Sequence, residues 1–278
     1  MSKPLPLGLI ASGRMTESPL IRYPSLVSDL GPVVASSRRL ASRYANALRA
    51  GHPADAKELG GCRLVLVQAP ACELPAILSM LVESQISWKS KALALIDDDL
   101  DAEALQPMRA LRAAVGSVTL APSRERGVLV IEGDAAAVRV MNQWAAQARM
   151  SCIELKPQCK ALYGAGLMAA NSLLPPVLDG AMRSLRASGL SQLDSRRMLS
   201  LVVEMAIRGQ RAHGRKAWLS PASMSRRPAV LNQLAALAEV DPVLAAYFQR
   251  SLIAILDYVG QDPDWLGDPP PQSQPSPD

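Results

Sequence analysis

Short apolar runs alternate with longer amphipathic stretches over the first half of the chain. The runs fall at residues 5–11, 31–36, 63–69, 91–96, 116–120, 127–131 and 151–155. Arg-Leu-Val-Leu-Val-Gln-Ala at 63–69 has almost no polar interruption, as a strand covered on both faces requires. Between the runs, residues 38–50, 73–83, 102–113 and 135–148 carry helical periodicity, the first closed by Gly51. Strand and helix in alternation predict an α/β domain built on a doubly wound, mostly parallel sheet.

From Pro157 onward the pattern is helix only. Residues 160–187 read as a helix interrupted at Pro175-Pro176 and ending near Gly189. A second helix covers 194–208, with Asp194 or Ser191 as its cap, and a third covers 228–239. Asp241-Pro242 is a cap followed by a first-turn proline, opening a fourth helix that runs to Tyr258. After Gly260 the chain is rich in Pro, Gln, Ser and Asp, which bury little apolar surface, so a disordered tail is expected. The expected organisation is therefore a Rossmann-type domain over 1–156, an all-α domain over 157–260 and a tail over 261–278.

Composition narrows the partners. A net charge of +5 over 278 residues suits a small anionic ligand but falls short of a nucleic-acid binder, and 4% aromatics leaves few stacking platforms. The four cysteines have no Cys-x-x-Cys spacing and there are two histidines, so no zinc pattern can be assembled and no metal is expected. Free thiols point to the cytoplasm. Residues 5–11 are too short and wrongly flanked for a signal peptide, and no apolar run is expected to approach the ~20 residues of a membrane span.

The candidate chemistry sits at Gly8-Leu9-Ile10-Ala11-Ser12-Gly13-Arg14-Met15-Thr16. It reads as a dinucleotide-binding turn in which Ala11 and Thr16 stand where glycines belong and Gly13 alone survives. Pro24 cannot lie inside a straight helix, so the nucleotide-facing helix must be shortened, kinked or rebuilt. Glu17 adds negative charge where phosphates would lie. Ala35-Ser36-Ser37-Arg38-Arg39 ends the second strand where NAD-binding folds carry an acid. Hydroxyls followed by arginine suit a ribose 2′-phosphate, which prefers NADP to NAD; a solvated helix start capped by Ser37 is the alternative.

Five stretches, in order, resemble the Rossmann-like oxidoreductases that carry a helical C-terminal domain, distant relatives of pyrroline-5-carboxylate and ketopantoate reductases. They are the turn itself, Leu64–Pro70 (Leu-Val-Leu-Val-Gln-Ala-Pro), Ala113-Ala114-Val115-Gly116-Ser117, Val130-Ile131-Glu132-Gly133-Asp134, and Ala161-Leu162-Tyr163 with Ala169-Ala170-Asn171. The resemblance implies NAD(P) at the strand ends, held by Gly8, Ala11, Ser12, Gly13, Arg14, Met15, Ser36, Ser37, Arg38, Ala69 and Pro70. It also implies a homodimer through the helical domain. Tyr163 and Asn171, eight residues apart, would share a helix face and orient a carbonyl or carboxylate; two satisfied polar groups on a core helix are the plain alternative. The chain departs from the family where histidines are expected: Asp97-Asp98, Val118-Thr119-Leu120 and Gly164 stand instead, and Ser220–Arg226 replaces an Arg-Gly-Asp motif.

Asp97, Asp98, Asp99 and Asp101 lack the glycine and closing glutamate of a calcium loop and read as a strand-to-helix turn capped by Asp101. At a strand C-terminus they would repel an anion and favour a cationic substrate. Arg208, Arg211, Arg215, Lys216, Arg226 and Arg227 form an acid-free stretch, read as a solvated face or an anion site. Two functions follow. One is an NADP-dependent oxidoreductase of a small carbonyl or imine substrate, its activity reduced or lost. The other is a non-catalytic Rossmann-fold homologue that senses a ligand or mediates dimeric interactions.

Overall fold

A computed structural model of the chain describes residues 5–14, 18–121, 127–214 and 226–267. They divide into two compact units, Met1–Met168 and Ala169–Asp278.

The first unit is one eight-stranded sheet: β1 (Leu7–Ala11), β2 (Leu30–Val34), β3 (His52–Pro53), β4 (Leu64–Gln68), β5 (Ala92–Ile96), β6 (Ala114–Ala121), β7 (Val128–Gly133) and β8 (Ser151–Glu154). The order is β3-β2-β1-β4-β5-β6-β7-β8, parallel throughout except between β6 and β7. The chain winds outward from β1 to β3, then crosses back to lay β4 beside β1. That reversal opens a crevice beyond the C-terminal ends of β1 and β4, where such sheets bind ligands.

Alternate side chains on each strand point to opposite faces. Leu7, Leu9, Leu64, Leu66, Ala92 and Ala94 pack under α1 (Arg38–Leu48) and α4 (Ala135–Gln147), which contribute the buried Tyr44 and Trp144. Ile10, Val65, Val67, Leu93 and Leu95 pack on the other face with Trp88 and α2 (Leu74–Glu83). Each such aliphatic side chain contributes roughly 1.5–3 kcal/mol by leaving water.

Two segments depart from the sequence pattern. No α-helix follows β1 among the described residues; Pro19–Arg22 and Pro24–Val27 form two 3-10 turns, each opened by its proline. The helix expected over 102–113 is a 3-10 turn (Ala102–Leu105) and a single-turn α3 (Pro107–Ala110), because Pro107 has no N–H to continue the first turn. Met15, Thr16 and Glu17 lie outside the described residues, as do 215–225 of the basic stretch and 268–278 of the expected tail.

After α5 (Lys160–Met168), the second unit begins with a π turn (Ala169–Leu173), followed by α6 (Leu174–Ala187), α7 (Gln192–His213), α8 (Arg227–Val240) and α9 (Pro242–Val259). Pro175-Pro176 does not interrupt the helical run as expected. The pair sits in the first turn of α6, where its missing N–H groups follow the wider π turn. Ser191 caps α7, accepting from the Asp194 N–H at 3.1 Å, and Asp241 caps α9, accepting from the Leu244 N–H at 3.0 Å. Asp241 also pairs with the Arg183 guanidinium. Gly180 permits close helix contact: a Cβ there would stand 2.7 Å from a Leu244 methyl and 2.8 Å from the Phe248 ring. The beginning of the expected disordered tail is folded. Asp264–Leu266 makes a 3-10 turn, Leu266 is buried, and Gln249 Nε2 donates to its carbonyl at 2.7 Å. Trp265 adds a second anchor, its ring lying 5.2 Å from the Arg227 guanidinium.

The stretch Lys160–Ala187 is long and apolar enough to cross a membrane by length and hydropathy. Residues 161–178 carry no charged side chain and only Tyr163, Asn171 and Ser172 as polar interruptions, which corrects the expectation that no apolar run approaches the length of a membrane span. Leu193, Met205 and Val243, 76%, 69% and 72% exposed, extend the apolar surface of the second unit.

Candidate functional site

The crevice is a cavity of about 440 Å³. β1 supplies Ser12, Gly13 and Arg14 just beyond its end; β4 supplies Gln68, Ala69 and Pro70; β5 supplies Ile96, Asp97 and Asp98. Pro19 and Arg22 close it from the first 3-10 turn.

The turn after β1 is pinned from every side. Its Ser12 N–H donates to the Gln68 carbonyl at 2.8 Å. The buried Tyr44 hydroxyl donates toward the carbonyls of Ser12 and Gly13, at 2.9 and 3.1 Å. Ser12 Oγ donates to the Glu73 carboxylate, and Ser18 Oγ to Gln68 Oε1 at 2.6 Å. Gly13 has φ +79°, and a Cβ on it would sit 2.9 Å from the Pro70 ring. Backbone and neighbour both demand glycine there, before any ligand is considered.

This geometry differs from a phosphate-binding turn in one respect that matters. A pyrophosphate site uses the free N–H groups and dipole of a following helix. A four-residue 3-10 turn opened by proline offers fewer donors and almost no macrodipole. Positive charge at this end comes from Arg14 and Arg22 instead. The opposite end carries Asp97 and Asp98, so the cleft is bipolar.

Asp97 is held by its own turn, accepting from the N–H groups of Asp99 at 2.8 Å and Leu100 at 2.7 Å. Asp101 caps the following 3-10 turn, as its spacing suggested. Asp98 is exposed at the cleft. Partial burial raises its pKa from the ordinary aspartate value, partly offset by the Lys160 ammonium, with Asp97 and Asp99 adding to the rise. Tyr163 lies near enough to feel it: burial first, then the Asp98 charge, raises the phenol pKa.

Below this edge lies a buried polar chain that local sequence pattern does not reveal. Lys160, 2% exposed, donates from Nζ to the Asp97 carbonyl at 2.6 Å and to Ser117 Oγ at 3.1 Å. Ser117 donates to Glu132 Oε1 at 2.5 Å, which also accepts from the Ala102 N–H at 2.7 Å. Burial lowers the Lys160 pKa, opposed by Asp97, Glu132, Asp98 and Asp101. The chain ties the start of α5 to the end of β5 and to the interior of β6 and β7, and holds the Asp97–Asp98 turn in place. Its one sequence signal is a lysine in a first helical turn, against the dipole, three residues before Tyr163.

Of the cofactor residues read from sequence, Ser12, Gly13, Arg14, Ala69 and Pro70 line the cleft together. Gly8 lies within β1 against Leu59 and Cys62, and Ala11 is buried at the strand end. Ser37 caps α1, its Oγ accepting from the Leu40 N–H at 3.2 Å; Ser36 and Arg38 are exposed beside it, beyond the end of β2. Tyr163 belongs to the first unit and Asn171 to the second, and the helical repeat changes between them at the π turn. Among the described residues no three His, Cys, Asp or Glu side chains converge on a metal position.

The fold recurs among known enzymes. The chain has the fold of the NAD(P)-binding reductases. It is similar to an imine reductase from Myxococcus stipitatus in complex with NADP+, at 16% identity over 93% of this chain and 96% of that one, TM-score 0.62. An imine reductase from Pseudomonas sp. matches at 11% identity over 95% and 90%, TM-score 0.60. A pyrroline carboxylate reductase from Plasmodium falciparum, with NADP bound, matches at 13% over 95% and 95%, TM-score 0.53. No family model matches the chain, and no curated protein matches it in sequence. These likenesses show the fold; among the described residues of this chain, two 3-10 turns and no α-helix lie between β1 and β2.

Proposed function

We propose that the chain binds NADP and reduces a small imine or carbonyl compound. The bipolar cleft carries this reading: arginines at the β1 end and carboxylates at the β5 end. Arg14 and Arg22 hold the phosphates through charge-assisted hydrogen bonds, taking over from the missing helix N-terminus. Ser36 and Arg38 hold the ribose 2′-phosphate. NADPH, when bound, supplies the hydride. Asp98 attracts a positively charged reactant, which favours a protonated imine over a neutral carbonyl. Tyr163, kept protonated by its surroundings, donates a hydrogen bond to the substrate. The protein works as a soluble, cytoplasmic homodimer, its exposed apolar helical surface covered by a second copy.

Calorimetric titration with NADPH and NADH tests the cofactor. The expected result is NADPH binding well below millimolar, weakened about tenfold by Arg22→Ala or Arg38→Ala, roughly 1.4 kcal/mol for each lost contact. No heat with either nucleotide would overturn the reading. A second reading, a non-catalytic ligand-sensing homologue, is favoured by the rebuilt helix and by Glu73 beside Ser12. Tight NADPH binding without oxidation of the cofactor by any of a panel of cyclic imines would select it.

A further inference from the structure

A second cavity, of about 560 Å³, opens at the opposite edge of the same sheet. Parallel register builds it. Arg63 and Lys91 immediately precede β4 and β5, and Arg112 stands two residues before β6. The Ala92 N–H donates to the Arg63 carbonyl and the Ala114 N–H to the Lys91 carbonyl, both at 2.9 Å, which holds these positions side by side along the edge. α4 contributes Arg139 and Gln143, one turn apart on the face that lines the cavity, and Ser90 completes the polar wall.

The charge here is one-sided. Three arginines and one lysine line the cavity, and no carboxylate among the described residues does. Lys91 is occupied by the carbonyls of Gly60 and Cys62. The guanidinium groups of Arg63, Arg112 and Arg139 make no ion pair with a described residue, although Asp and Glu are abundant elsewhere in this unit. Like charges gathered around one concavity repel unless a counter-charge is present. A guanidinium fork matches phosphate oxygens, and the cavity is of small-molecule size. Parallel sheets bind their substrates at the other edge, so the catalytic reading leaves this cavity unused.

We propose that this cavity is a second, separate binding site for a small molecule carrying two or more phosphate groups. Arg63, Arg112 and Arg139 grip the phosphates, and Gln143 and Ser90 hydrogen-bond the remainder of the ligand. The proposal is independent of the cofactor reading, since the two sites share no lining residue.

Titration calorimetry on the full chain at fixed ionic strength tests it, with inorganic phosphate, pyrophosphate and a hexose bisphosphate as probes. Pyrophosphate should bind at least tenfold more tightly than phosphate. The double variant Arg112→Gln/Arg139→Gln should lose at least tenfold of that affinity, and Arg63→Gln alone should lose severalfold. Arg14→Ala/Arg22→Ala, altered in the cleft, should bind pyrophosphate at this site as the parent does. The urea-unfolding midpoint of the Arg112/Arg139 variant should match that of the parent, which reports that it is folded. A tighter hexose bisphosphate identifies a phosphorylated metabolite as the ligand; a tighter pyrophosphate identifies an inorganic polyphosphate. Absence of binding by the parent at millimolar probe, or equal binding by parent and double variant, overturns the proposal. Preferential competition by duplex DNA overturns it too, in favour of a nucleic-acid surface.

Discussion

Gly13→Ala separates two explanations for the one glycine that the turn retains. If Gly13 exists only to let a pyrophosphate approach, alanine should leave the free protein untouched. The structure requires otherwise. At φ +79° an L-residue costs about 1–2 kcal/mol. The new methyl would meet the Pro70 ring at 2.9 Å, an overlap that relaxes at a cost of about 1–3 kcal/mol, because Pro70 is itself fixed at the end of β4. The stiffer unfolded chain returns about 0.5–1 kcal/mol. The net loss is roughly 1–4.5 kcal/mol, or about 2–18 °C in Tm for a unit of this size. Urea unfolding of the ligand-free protein, followed through the buried Trp88 and Trp144, reads it directly. A free protein within about 0.5 kcal/mol of the parent, with only NADPH affinity reduced, would refute the argument.

Other outcomes follow from the same geometry. Glu132→Ala removes the acceptor for Ser117 and the Ala102 N–H beside the buried Lys160, and should cost about 3–5 kcal/mol in urea unfolding, whereas Glu132→Gln, which keeps an acceptor, should cost clearly less. Equal losses would mean that the charge, not the acceptor, matters. Burial pushes the Cys62 thiol up to about 11 from 9.0, so the folded state keeps a proton that the unfolded chain has released. Stability from this group is therefore present below pH 9 and lost between pH 9 and 11, on the order of 2 kcal/mol. Cys62→Ala should flatten that part of the pH profile, and an unchanged slope would rule the group out. Gly180→Val should destabilise the helical unit by about 1–3 kcal/mol through contact with Leu244 and Phe248, measured as earlier loss of helical circular dichroism on heating.

The sheet was legible in the sequence because a strand covered on both faces leaves an apolar run that nothing else in a short segment imitates. β3 was not, since two residues, one of them Pro53, carry no pattern. Pro24 correctly announced that no straight helix could follow β1, yet local propensity could not say that two 3-10 turns would replace it. Half of the cleft was readable from Ser12, Gly13, Arg14, Ala69 and Pro70, which lie next to strand ends. Lys160, Ser117 and Glu132 were not, because their bonds span 15 and 43 residues and a lysine is ordinarily a surface residue. The basic cavity escaped for the same reason: Arg63, Lys91 and Arg112 become neighbours only through strand register.

The two proline-opened turns after β1 also limit what protein engineering can do here. Placing glycine at Ala11 and Thr16 would loosen a buried strand end without creating an anion cradle, since Pro24 bars a straight helix through this segment. A redesign that aims at tighter cofactor capture has to replace the whole 18–29 segment as a cassette, and must re-home Leu20, Leu26 and Val27, which now sit in the core. The two turns are therefore one packing unit with the sheet: Leu20, Leu26 and Val27 hold them there, and the cleft wall they form cannot be altered without rebuilding that part of the core.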